Sequence, residues 1–369
     1  MKILMLTDRM ESGGAETHVE MLTKELLRRG DEVEVFSGGG SIADRMERAG
    51  VKQYRFAPVE RSGARFLTVR RMLKKLVLRE RYDVLHAHTR TTALLMRGIA
   101  GSGKQAASVV TVHAAFAYSP LLAKLCYWGE KTIAVSEDLR ARSVDVFGAP
   151  AEAITVVPNG VDCRVFCPSD SLPPWETVLF ASRLDGDCAL GAELLCEIAP
   201  SLKTAFPNLR IRIAGGGDGI QRIRELAEKA NTVCKKRGFS SAVEVLGKVE
   251  NMAAEYRRNR IFVGVSRAAL EAAASGCAVI LCGNEGRGGL LTSEAWEYAV
   301  SNFCCRGEKL PDGAWLEDRL RCLLANEKKT AEMAENARTW VTERYDSAHM
   351  TSMTEAVYEQ LCQRKERSV

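Results

Sequence analysis

No run of apolar residues reaches the roughly 18–20 that crossing a bilayer requires. The opening MKILMLTD has one Lys and a short apolar run, without the longer hydrophobic core and cleavage site of a secretory signal. It reads as a buried first strand, and the expected location is the cytoplasm. The twelve cysteines include no paired CxxC motifs; Cys163 and Cys167 lack nearby histidines, and Cys304 and Cys305 are adjacent. Zinc sites need spaced ligands on turns, so buried or incidental thiols in a reducing compartment are expected and no metal site is assigned. No strand is followed by GxGxxG, which argues against a dinucleotide-dependent oxidoreductase. Short repeats and low-complexity segments are also missing.

What is present describes a globular chain. Its 369 residues, 46 % hydrophobic and 27 % charged, suit two domains better than one core. The net charge of +5 is uneven: residues 61–81 hold eight basic residues and one acid, Glu80. A modest local excess suits an anionic membrane surface or acceptor better than nucleic acid. In a predicted helix over 63–80, Phe66, Val69, Leu73 and Leu76 make one face, and Arg70, Arg71, Lys74, Lys75 and Arg79 crowd the rest. Like charges four apart repel unless something anionic offsets them.

Short β-rich runs alternate with amphipathic helices from KILMLT (2–7) to AITVVP (153–158). The pattern breaks over 158–175, which contains four prolines and no periodicity. It resumes at TVLFAS (177–182) and runs to AVILCG (278–283), with three helical stretches closing the chain. Strands separated by helices imply parallel sheets, so the expected fold is α/β, with two doubly wound domains joined by a Pro-rich linker.

In such sheets ligands collect beyond the carboxyl ends of strands. After the first strand, Gly13 and Gly14 open a helix, either as a flexible turn or as a close backbone approach to an anion. His113 ends SVVTVH, as a capping histidine or as a group that meets a sugar hydroxyl. His86 and His88, which end the preceding strand, read more as structural. Arg183 follows VLFAS, where a guanidinium suits a diphosphate. Asp185-Gly186-Asp187 reads as a turn rather than a metal-binding DxD. Ser266 caps an alanine-rich helix holding one acid, Glu271, which suits a ribose diol or the helix dipole. Gly286, Arg287, Gly288 and Gly289 form a glycine-rich loop, which either cradles phosphate or is a mobile surface loop.

Together these segments resemble family 4 glycosyltransferases, retaining enzymes of GT-B architecture. SGGAETHVEMLTKELLRRGDEVEVF, DVLHAH, TVHAAF, IAVSEDL and VVPNGVDCRVF are similar to the first half, and FASRLD, LRIRIAGGGD, VEVLGKV and ALEAAASGCAVI to the second. The resemblance implies two Rossmann-like domains facing across a cleft. These are an acceptor-side domain over 1–165, joined by the C-terminal helix 347–369, and a nucleotide-sugar domain over 166–346. Two positions depart from the family. Its Glu eight residues before Glu271 is Val263 here, and its Lys after Arg183 falls in Asp187-Cys188-Ala189-Leu190, with no base.

The resulting expectation is a metal-independent transferase with no cofactor, moving a sugar from a nucleoside-diphosphate sugar to a saccharide or lipid-linked acceptor. Arg183 would meet the diphosphate, Glu271 the ribose, and His113 the reacting sugar. Gly13, Gly14 and the 286–289 glycines would supply backbone contacts, and Arg287 would compensate for the missing Lys. Arg70, Arg71, Lys74 and Lys75 would dock on the inner face of a membrane. No nucleic-acid partner is expected. The alternative is a non-catalytic subunit that keeps the fold as a nucleotide-binding scaffold.

Overall fold

The computed structural model describes all residues except 12, 58, 60–62, 101–105, 116, 296–302 and 367–369. It divides into two compact units, Met1–Gly160 with Ser347–Val369, and Val161–Asp346.

The first unit runs β1 (Lys2–Thr7), α1 (Gly14–Arg28), β2 (Glu32–Ser37), α2 (Ser41–Arg48), β3 (Gln53–Arg55), α3 (Gly63–Glu80), β4 (Val84–Ala87), α4 (Arg90–Met96), β5 (Ala107–Val112), α5 (Pro120–Leu125), β6 (Lys131–Ala134), α6 (Glu137–Asp145) and β7 (Ile154–Val156). Its strands form one parallel sheet in the order β3-β2-β1-β4-β5-β6-β7. Successive strand side chains point to opposite faces, so β1 feeds two layers at once. Ile3 and Met5 pack with Val19 and Leu22 of α1 and with Val357 and Leu361 of the C-terminal helix, Ser347–Glu366. Leu4 and Leu6 pack with Val69 and Leu73 of α3 and Leu95 of α4. The C-terminal helix is also tied by Arg29, which donates to the Ala348 carbonyl at 2.5 Å and pairs with Glu355.

The second unit runs β8 (Thr177–Ala181), α7 (Leu190–Ala205), β9 (Arg210–Ala214), α8 (Ile220–Lys236), β10 (Val243–Gly247), α9 (Met252–Tyr256), β11 (Ile261–Gly264), α10 (Ser266–Ala274), β12 (Ala278–Gly283), β13 (Gly286–Leu290), α11 (Gly313–Leu324) and α12 (Glu327–Tyr345). The sheet order is β10-β9-β8-β11-β12-β13, parallel except for β13. Val178 and Phe180 face one core and Leu179 and Ala181 the other.

Three local expectations change. Helix α4 stops at Met96 rather than 100, because Arg97 leaves the helical region and Gly98 is left-handed (φ +68). Residues 161–165 belong with the second unit, where the Val161 N–H donates to the Tyr345 carbonyl at 2.7 Å and Val161 bridges Asp346. Ser266 does not cap α10. Val265 holds the N-cap position, and Ser266 is the first helical residue, at φ +59. Left-handed backbone is uncommon for a non-glycine residue and marks local strain.

The loops after β8 and β9 are laced together. The Leu184 N–H donates to the Gly216 carbonyl at 2.9 Å, and the Gly219 N–H to the Leu184 carbonyl at 2.8 Å. A Cβ on Gly215 would lie 1.9 Å from the Ser182 carbonyl oxygen, at φ +148. Gly215→Ala therefore forces backbone apart in a conformation that alanine resists. The expected loss is more than about 2 kcal/mol, read as a drop of roughly 4–8 °C in melting temperature; an unchanged melting temperature would count against the clasp.

Candidate functional site

Each sheet has one point where strand order reverses, and ligands of open α/β sheets bind beyond the carboxyl ends there. In the first unit that point lies at the β1/β4 pair, and in the second at the β8/β11 pair.

In the first unit the loop after β1 is held by glycines of the next βα turn. The Gly38 N–H donates to the Asp8 carbonyl at 3.0 Å and the Met10 N–H to the Gly39 carbonyl at 2.9 Å. A Cβ on Gly38 would lie 2.4 Å from the Asp8 carbonyl oxygen. Gly13 is the extended N-cap of α1, and its carbonyl accepts from the Thr17 N–H and hydroxyl at 3.0 and 2.7 Å. A Cβ on Gly14 would meet nothing within 4 Å.

Four of the five histidines meet beside this loop. His86 is structural: Nδ1 faces the Tyr358 hydroxyl at 2.6 Å and Nε2 the Thr111 hydroxyl at 2.7 Å. His88, just past β4, has Nδ1 3.0 Å from Nε2 of His113, just past β5. His18, in the second turn of α1, places its ring 4.8 Å from that of His113 and 5.8 Å from that of His88. Its Nδ1 lies 3.1 Å from Oδ1 of Asn159. His18, His86 and His88 are buried, and His113 is half-buried. Burial drives the imidazoles of His86, His88 and His113 well below the ordinary histidine value, and neighbouring rings push the same way. At neutral pH these rings are neutral and offer lone pairs.

Strand ends alone point to His86, His88 and His113 but pass over His18 and Asn159. His18 lies inside a helix and Asn159 in an irregular segment, and only the fold closes their separation of 141 positions. The glycines at 38–40 and 215–219 are consecutive or nearly so in the chain, and only the fold shows the backbones they clear.

In the second unit Arg183 lies just past β8, exposed, with no hydrogen-bond or ion-pair partner among the described residues. Asp185 is engaged in the turn, where its Oδ1 accepts from the Asp218 N–H at 2.8 Å. Cys188 and Ala189 belong to a short 3-10 turn, and Ala189 is buried. Val263 is fully buried in β11, so the position matching the family's upstream acid packs into the sheet core.

Two expected donor contacts look different in three dimensions. Residues 286–290 are not an open glycine loop but the antiparallel edge strand β13, with Gly286 opposite Gly283 and Gly289 opposite Leu281. The Arg287 N–H donates to the Lys309 carbonyl at 3.1 Å, and its guanidinium lies 3.2 Å from Asp312 and 5.0 Å from the Trp315 ring centre. Arg287 is thus paired at the start of α11. Hairpin pairing engages Gly286, Arg287 and Gly289, while Gly288 falls at a register shift between Arg287 and Gly289. Glu271 is the centre of a partly buried group: Arg267 Nε donates to Oε1 at 2.9 Å and the Tyr256 hydroxyl to Oε2 at 3.2 Å. Burial pushes its carboxyl above the ordinary range, although Arg267 and Tyr256 hold it down. Each oxygen retains one further lone pair.

This packing changes what substitution of Glu271 does. On an open helix face Glu271→Gln would leave the melting temperature nearly unchanged. Here it removes the anion facing Arg267, and the two side chains are only 13 % and 17 % exposed. A loss of about 1–3 kcal/mol is expected from leaving a half-buried guanidinium without its carboxylate. Thermal melting of Glu271→Gln beside Glu271→Gln/Arg267→Met checks it, the double variant recovering part of the loss; an unshifted single variant would count against the pairing.

Two family descriptions match the chain: Glycosyltransferase Family 4 over residues 12–165 and Glycosyl transferases group 1 over residues 176–302. A subunit of the phosphatidylinositol N-acetylglucosaminyltransferase of Arabidopsis thaliana is 24 % identical, over 68 % of this chain and 58 % of its own. A phosphatidyl-myo-inositol mannosyltransferase of Mycolicibacterium smegmatis is 28 % identical, over 65 % of this chain and 64 % of its own. The chain spans less than two thirds of the length of either relative. Among solved structures, Anabaena Alr3699/HepE in complex with UDP has the same fold, with a TM-score of 0.74, 17 % identity and coverage of 98 % of this chain and 100 % of that one. With two Rossmann-like units, and both families matched in order along it, the chain belongs to the family 4, group 1 glycosyltransferases.

Proposed function

We propose that the protein transfers a sugar, with retention, from a nucleoside-diphosphate sugar to a hydroxyl acceptor in glycolipid or envelope-polysaccharide synthesis. The observation that carries this reading is Arg183, an exposed guanidinium without a partner among the described residues, at the strand-order reversal of the second unit. A diphosphate is the ligand such a group grips best. In this scheme the acceptor oxygen bonds to the anomeric carbon as the bond to the leaving phosphate breaks on the same face, and that phosphate takes the acceptor proton. Arg183, helix N-termini and loop amides stabilise the developing charge, and no metal takes part in this step. Glu271 meets the ribose through its remaining lone pairs, neutral His113 meets the reacting sugar, and Gly13 and Gly14 leave room for backbone contact. The names of the two relatives favour a phospholipid-linked acceptor. The buried Val263 and the basic-free turn at Cys188 favour the second reading, a non-catalytic scaffold. Both readings share nucleotide binding, and only the first includes turnover.

Helix α3 is the part that would meet a membrane. Its inner face, Val69, Leu73 and Leu76, is buried in the core, while Arg71, Lys74 and Lys75 are exposed beside exposed Leu67, Met72 and Leu78. Arg70 differs: it is half-buried and donates to the Arg97 carbonyl at 2.6 Å. No helix among the described residues is long and apolar enough to span a bilayer.

Arg183→Ala is expected to weaken nucleoside-diphosphate binding by about 1.5–3 kcal/mol, measured by calorimetry; wild-type affinity in the variant would refute the assignment. Vesicle co-sedimentation tests docking. The protein should pellet with anionic vesicles at low salt and not with neutral ones. Changing Arg71, Lys74 and Lys75 to Gln should remove about 1 kcal/mol each, and adding Arg70→Gln should change little further. Equal pelleting with both vesicle types would exclude electrostatic docking.

A further inference from the structure

The histidine cluster of the first unit contains more ligating capacity than one sugar contact uses. We propose that His18, His88 and His113 form a three-nitrogen site for a borderline divalent transition metal, Zn²⁺ or its spectroscopic substitute Co²⁺, with a fourth position open to water or an anion. One ring nitrogen from each residue lies within 4.8 Å of the others. Tetrahedral Zn–N bonds of about 2.0–2.1 Å place ligand nitrogens roughly 3.3 Å apart. The His88–His113 pair, at 3.0 Å, is already close to that spacing. A small inward shift of the His18 ring that keeps its Asn159 contact would bring in the third.

Three features of the surroundings support a ligand here. His88 is 3 % exposed, and the only side-chain hydrogen-bond partner of its ring among the described residues is another imidazole. Two neutral imidazoles facing each other share a single proton, whereas a cation makes ligands of both facing nitrogens. His18 has the outer partner that metal-bound histidines usually have: with Nδ1–H donating to Asn159 Oδ1 at 3.1 Å, Nε2 carries the lone pair. Behind the site the His86 ring lies 4.1 Å from that of His88, tilted at 38°, and is held at both nitrogens. Half-buried His113 gives the route in. Neutral nitrogen donors select Zn²⁺, Co²⁺, Ni²⁺ or Cu²⁺ and not Mg²⁺ or Ca²⁺, which take oxygen. An ion here engages Nε2 of His113, the residue that the reaction above assigns to the sugar.

The site rests on these side chains and not on the proposed reaction, and its test is read without turnover. The full-length protein, stripped with chelator and kept reduced, is titrated with Co²⁺ and followed by visible absorption. The expected result is one equivalent with d–d bands, no thiolate charge-transfer band, and displacement by Zn²⁺. His18→Gln and His113→Asn should each weaken binding at least about tenfold, and Asn159→Ala, a milder change, roughly 10–100-fold. Exposed His349→Ala and the pair Cys163→Ser/Cys167→Ser should leave it unchanged, with folding of every variant confirmed by melting. No d–d bands, a charge-transfer band lost with the cysteines, or wild-type affinity in folded Asn159→Ala and His113→Asn would each overturn the site.

Discussion

Burial of both faces of each sheet is the constraint on which the rest of the molecule depends. In β1 alternate residues enter opposite cores, Ile3 and Met5 on one side, Leu4 and Leu6 on the other. The same holds in β8 for Val178 and Phe180 against Leu179 and Ala181. A strand used in this way has no free face for polar chemistry. The chemistry must then sit past the strand ends, and the reversal of strand order opens a space there. His88, His113 and Arg183 occupy such ends. Val263, inside β11, does not, and an acid at that depth would be buried without water.

Close loop packing shapes those ends. Gly38 and Gly215 approach carbonyl oxygens so nearly that no side chain fits. Their role is to let one βα loop brace its neighbour, so that residues between the braces keep fixed backbone. The left-handed Ser266, at the β11–α10 junction, is strain stored in the same region.

Several charges in the second unit are used internally. Arg267 serves Glu271, Arg287 serves Asp312 and Trp315, and Asp185 serves the Asp218 amide. Arg183 differs from these residues, because no described residue engages its guanidinium. In the first unit neutral imidazoles take the place of charge, since burial disfavours the protonated rings.

The sequence by itself determined the two α/β units, most helix spans, and the positions of Arg183 and His113 at strand ends. Apolar periodicity is local, and the end of an apolar run marks the end of a strand. Partnership was not readable in the same way. Nothing near Arg287 in the chain shows that Asp312 and Trp315 will hold it, and the stretch Gly286–Gly289 looks like a loop until β12 pairs with it. His18 and Asn159 come together only when α1 packs beside the end of the first unit's chain path. Tertiary packing decided which polar groups were already satisfied and which remained available to a ligand, because a hydrogen bond depends on distance in space and not on separation along the chain.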